Sequence, residues 1–332
     1  MSLQQNNCQL LKDKFGRLTA VGSLELLLKR GSTQGKKELD LMEQLTKERV
    51  ELWQSYQQKA RQLLRQWFDS DEFTDSIYFE DDGRVVVDTD LNLQQVNRLS
   101  YFPSLIRKVE GSLLISDPDF EHLDFIEEVG SLYLKNAKKI KSLNRLRKAT
   151  NTIDIAQTSI ESLPDLVEVG RELFARDLET LHSLPNLEEA GSLSLMGSGI
   201  EDLSALTRIQ ETINILGTSL TSLPKLQYVG FELQAYDSQL ANLPELKEAD
   251  NLNVAGTELT VIPKLESVGS FLNLGWVGHN GFRKAFPKLK EIGYLRNPRD
   301  IMAVRTKSPL VQAEIGKLID SGELEVKGMV IR

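Results

Sequence analysis

The chain has 332 residues, 40% of them hydrophobic, with 48 acidic against 40 basic side chains and a formal charge of −8. That much apolar content excludes global disorder, and the acidic balance argues against sequence-independent nucleic-acid binding, which works by neutralising phosphates. A single cysteine, Cys8, excludes an intramolecular disulfide framework and fits a reducing compartment.

The first 35 residues read as one or two short helices broken by Gly16, Gly22 and Gly31. No basic-then-apolar signal pattern opens the chain and no apolar run is long enough for a membrane span, so a cytoplasmic protein is expected, with export through a polar N-terminus left open. Residues 36–68 form the clearest helical pattern. Met42, Leu45, Leu52/Trp53, Tyr56, Ala60, Leu63/Leu64 and Trp67 return at helical spacings and make one apolar stripe. Such a helix either covers the open end of a core or pairs with a partner, a second copy included. Residues 1–75 are therefore expected to be a helical region.

Residues 76–90 read as a β-hairpin: Ile77/Phe79 and Val85/Val87 alternate about Asp82-Gly83, a favoured two-residue turn. With the linker to 101 it is expected to cap the first repeat of the segment that begins at 102. Its acids, Asp81, Asp82, Asp88 and Asp90, lack the glycine and glutamate positions of an EF-hand loop, so turn chemistry explains them better than calcium.

From 102 to 295 the chain repeats itself about every twenty residues. Such a period marks a solenoid, whose units bury their apolar faces only by stacking. One unit, PNLEEAGSLSLMGSGIEDL (185–203), is apolar at Leu187, Ala190, Leu193, Leu195, Ile200 and Leu203. The central pair, one residue apart, is a strand signal. It recurs as Ile153/Ile155, Ile213/Ile215, Leu233/Ala235 and Leu252/Val254, with Leu113/Ile115 opening the series. Three residues after the second strand position come Thr158, Ser198, Thr218, Ser238 and Thr257, hydroxyls suited to bonding a turn's backbone. The Pro opening many units suits an extended outer segment.

The units AGSLSLMGSGI (190–200) and ADNLNVAGTEL (249–259) resemble the leucine-rich repeat, LxxLxLxxNxL, with Ser198 or Thr257 where the family has Asn. Several units carry one extra residue, as in VGFELQAYDSQL (229–240). The short unit is similar to the bacterial type of this family. The resemblance implies a curved parallel β-sheet with a mostly non-helical outer face, and recognition of proteins on the concave side. Some bacterial effectors of that type carry a Cys-dependent ubiquitin-ligase domain after the repeats; no Cys follows them here. A β-helix is the alternative architecture.

Residues 275–286, GWVGHNGFRKAF, depart from the repeat and form either a binding edge around Trp276 and His279 or a loosened repeat. Residues 296–332 read as a C-terminal cap, a helix over 309–319 and a final strand over 324–331.

No reactive constellation stands out. His122, His182 and His279 fall in different repeats without CxxC or HExxH, and His122 and His182 read as corresponding structural positions. No enzyme activity, metal or cofactor is expected. What remains is a surface. The residues between the strand leucines are Tyr133, Asp154, Phe174, Ser194, Asn214, Gln234, Asn253 and Asn273, and two positions on come Arg176, Met196, Leu216 and Tyr236. Phe174, Arg176, Met196, Leu216, Gln234 and Tyr236 are the candidate protein-binding patch, rimmed by Glu172, Asp177, Glu232 and Asp237. The expected function is a scaffold or adaptor. An effector acting in another cell, a self-assembling protein pairing through the helix, and sugar binding through Tyr236 and Trp276 are the alternatives.

Overall fold

A computed structural model describes residues 33–68, 76–80, 84–94, 102–275, 277, 280–293, 302–326 and 329–330. The chain divides into two compact units, residues 1–89 with 103–108 and residues 90–102 with 109–332.

In the first unit, helix α1 spans Thr33–Phe68. Its aromatic residues meet the hairpin: Trp53 stacks on Tyr56 with centroids 5.5 Å apart, and both stand edge-on to Phe79. Ala60 and Leu64 are buried, but Leu52, expected within the stripe, is 72% exposed. The side chains of Met42, Leu45, Leu63 and Trp67 lie outside the described residues, as does the reading of 1–32. The hairpin pairs Ile77–Phe79 antiparallel with Val85–Val87. Ile77 faces Val87 and Glu80 donates its N–H to Arg84, so three residues connect the strands, not the expected two. A two-residue turn would set Ile77 opposite Asp88, which is exposed; the actual register keeps apolar opposite apolar. The connection itself, with Asp81 and Asp82, lies outside the described residues.

The second unit is a parallel β-solenoid of about ten turns with few helices. Glu128, Lys148, Glu168, Glu189, Arg208, Tyr228, Glu248 and Ser267 pair in succession, 19 to 21 residues apart. A second ladder runs through Leu132, Ile153, Leu173, Leu193, Ile213, Leu233, Leu252 and Leu272. A third consists of single bridges, such as Ser162 to Ser183 to Asp202. The inward side chains of all three are buried, as with Val169, Leu173, Ala175, Leu181, Leu184 and Leu187 of one turn. Burying one such side chain contributes about 1.5–3 kcal/mol, repeated along the whole stack.

The parallel ladder is longer than 102–295. It begins with Leu91–Asn92, paired with Leu113 and Leu114, and Asp90 accepts the Ser112 N–H. At the other end Met302–Thr306, Glu325–Val326 and Met329–Val330 continue it, so the C-terminal strand is two short segments within the solenoid's own ladders. The long final steps, Ser267 to Glu291 and Glu291 to Glu325, hold helices α2 (Phe282–Ala285) and α3 (Pro309–Asp320). Ser308 caps α3 and Pro309 occupies its first turn.

Each turn bends at three corners. The Pro-containing corner is a tight turn, closed by Leu166 N–H to Leu163 C=O and Leu187 N–H to Leu184 C=O. Proline there sits at the second turn position, where its fixed φ is an advantage, and not in an extended segment. The second corner carries the expected extra residue as a β-bulge, for instance between Val229 and Glu232. The third places Asp177, Gly197, Gly217, Asp237 and Gly256 at positive φ, and after Gly217, Asp237 and Gly256 a hydroxyl closes it. Thr158, Thr218, Ser238 and Thr257 each donate to the carbonyl three residues back, at 2.6–2.8 Å. Ser198 is buried with no such partner.

Candidate functional site

The second ladder carries the surface that matters. Its register lines Tyr133, Asp154, Phe174, Ser194, Asn214, Gln234, Asn253 and Asn273 in one outward column, because alternate residues of a strand face the same way. Two residues on, the Asp177 N–H bonds the Met196 carbonyl and the Gly197 N–H that of Leu216. Arg176, Met196, Leu216 and Tyr236 thus stand side by side. Phe174, Met196, Leu216 and Gln234 are half-buried; Arg176 and Tyr236 are exposed. The structure therefore brings all six patch residues onto one face.

The face is more ordered and more polar than an apolar patch. Asn214 Nδ2 donates to Gln234 Oε1 at 2.8 Å, Gln234 Nε2 donates to Glu232 at 2.7 Å, and Asn273 donates to Asn253 at 2.9 Å. These amide ladders fix the side chains before any partner arrives, which lowers the ordering cost of binding. Arg176 is not a free hot-spot cation: its Nε donates to Ser194 Oγ, which it covers. Burial pushes the Glu172 carboxyl above its ordinary range, the Arg176 charge opposes this, and the Glu211 charge adds to it. Asp177 and Asp237 are turn residues first, each at positive φ. Their carboxylates lie where a Cβ on Gly197 or Gly256 of the next turn would have to go.

One exposed aromatic escaped the sequence reading. Phe231 is 51% exposed and stands at the bulge between the two ladders, its N–H bonded to the Glu211 carbonyl and its carbonyl accepting from Asn251. The signal was the extra residue in VGFELQA, since a bulge re-aims the side chain it inserts. Below it Arg208 lies over the Tyr228 ring, 4.3 Å from its centroid.

The secondary edge at Trp276 and His279 lies outside the described residues, as does Cys8. Around it Val277, Phe282, Ala285 and Phe286 are buried, and Phe282 packs on Phe286 at 5.1 Å, so the described part of this insertion fills core. Beside it is a groove of about 370 Å³ lined by Leu259, Thr260, Val261, Asn280, Gly281 and Lys284.

The histidines do not correspond as expected. His122 pairs with Ser142 in the third ladder, whereas His182 stands one residue earlier than that ladder's Ser183. The reason is the extra residue between Leu178 and Leu181, which lengthens that turn. His122 Nδ1 lies 2.8 Å from Ser142 Oγ, which donates to Asp124 at 2.9 Å. A serine that donates directly to the carboxylate accepts from the imidazole, the reverse of the proton direction that activates a nucleophile. Among the described residues no cluster of three His, Cys, Asp or Glu side chains is set to hold a metal, and no helix is long and apolar enough to cross a membrane.

Comparison of the chain with protein-family models and with curated proteins finds no match.

Proposed function

We propose that this is a leucine-rich-repeat solenoid of the short, bacterial type that recognises another protein without chemistry, as a cytoplasmic scaffold or adaptor. The observation that carries the reading is the outward face of the second ladder. There Phe174, Met196, Leu216 and Tyr236 lie across neighbouring strands among amides already locked by hydrogen bonds. Aromatic and Met side chains held rigidly beside polar groups are the ingredients of a binding hot spot. Retention of a partner by the wild type and its loss from a folded Phe174→Ala, Arg176→Ala, Met196→Ala, Tyr236→Ala variant is the expected result of affinity capture. Equal retention by both would remove the face from the reading.

A second reading, self-assembly through α1, draws on Leu52 at 72% and Val50 at 47% exposure. Light scattering decides it: a dimer that Leu52→Glu converts to a monomer supports it, and a monomeric wild type rejects it. Action inside another cell would use the same face.

A further inference from the structure

Resting on the protein-recognition reading, we propose that the segment bound on this face is cationic: an extended stretch of lysine or arginine alternating with apolar residues, seated between Phe231 and Tyr236. Over 208–217, 228–237, 248–256 and 267–275 the one basic residue is Arg208, against the acids Glu211, Glu232, Asp237, Glu248 and Asp250. Several acids elsewhere on the solenoid are matched by a cation of a neighbouring turn: Glu121 by Lys141, Asp119 by Lys139, Glu168 by Lys148 and Glu245 by Lys264. The acids of these four segments are held in another way. Glu211 takes its hydrogen bond from Ser192, Glu232 from Gln234 and Asp250 from Ser270, all neutral donors. These bonds hold the carboxylates in place, and among the described residues none of the three is in an ion pair.

Rings accompany the acids. Phe231, at the bulge within the strand Tyr228–Gln234, is 51% exposed, and Tyr236, two residues past that strand's end, is 45% exposed. A cation over such a ring is attracted by its quadrupole. The fold uses that chemistry internally, with Arg208 lying on Tyr228, while Arg176 is held at Ser194 by a hydrogen bond. Past Arg208 the four segments supply no cation, and a partner's cations complement what is left. Four strands about 4.8 Å apart span roughly 14 Å, room for about four extended residues at ~3.4 Å each. Alternate side chains of such a segment point at the face, so alternating cations meet the acids.

The test is fluorescence anisotropy with a labelled alternating Lys-Val peptide and the matching Glu-Val peptide. It compares wild type, Glu211→Gln/Glu232→Gln/Asp250→Asn, Phe231→Ala/Tyr236→Ala, and Glu161→Gln/Glu179→Gln/Glu201→Gln. The last set removes the same charge from exposed positions elsewhere. The Lys-Val peptide alone is expected to bind, about tenfold or more weaker in the first two variants and within about twofold of wild type in the last. Equal weakening by both charge-removing sets, or binding of the Glu-Val peptide, overturns the proposal. A protein partner held by this face yet indifferent to the first variant would also overturn it, while leaving the recognition reading in place. Conversely, peptide binding as expected with no protein held by the face would sink only the recognition reading.

Discussion

Gly256 and Gly217 occupy the same corner of different turns, at φ of 74° and 69°, yet their surroundings differ. A Cβ on Gly256 would sit 1.9 Å from Asp237 Oδ1, whereas one on Gly217 meets nothing closer than 3.8 Å. Gly217→Ala therefore loses only the conformational term, about 1–2 kcal/mol. Gly256→Ala displaces a neighbouring turn's carboxylate as well, and is expected to lower the urea midpoint further. Glu172 gives a prediction with a sign in pH. Its folded pKa is raised, so the folded state binds more protons between about pH 4.3 and that higher value, and stability falls as pH rises through the window. Glu172→Gln should exceed wild type in stability at pH 7, and the gap should close on acidification below about pH 4; an unchanged gap would mean the carboxyl is not desolvated. These residue-level effects were only half visible in the sequence. The turn hydroxyls, Thr158, Thr218, Ser238 and Thr257, were legible because they recur at a fixed offset. The double role of Asp177 and Asp237 was not, because the glycine each one covers lies in the next turn.

At the scale of the element, the strand pair L-x-L was legible throughout because a period of two leaves no choice about which side chains face outward. The corner before it was not. Gly130, Gly170 and Gly230 recur in the dipeptide Val-Gly, and a Cβ on any of them would fall within 2.1 Å of a carbonyl oxygen of the preceding turn. That contact depends on a residue some twenty positions away, which no local pattern contains. Gly230→Ala is expected to cost about 1–3 kcal/mol through overpacking, read as a lowered midpoint with an unchanged m-value. A neutral effect would mean the turns separate more easily than the ladder geometry implies. The hairpin register and the offset of His182 escaped for a related reason. One extra residue moves everything after it, and only pairing shows where that residue is absorbed.

For the whole molecule, stability is expected to be a chain of nearest-neighbour terms, so the ends loosen independently of the middle. Glu314 accepts the N–H groups of Phe282 and Arg283 at 2.6 and 3.0 Å, and the Arg283 guanidinium reaches the Leu289 and Glu323 carbonyls. Glu314→Ala should speed amide exchange in residues 302–326 and leave Glu168–Phe174 and Tyr228–Gln234 as protected as before. The solenoid as a class was readable because its core columns recur about every twenty residues; the added strands Leu91–Asn92 and Met302–Thr306 were missed because their units lack the full frame.

Recognition on the second ladder's outward face is tested most directly by placing a photo-crosslinking side chain at Tyr236, and separately at His182 and Leu52, in the native cell. A protein adduct from position 236 and none from 182 or 52 is the predicted result. Adducts from 182 or 52 with none from 236 would contradict the account.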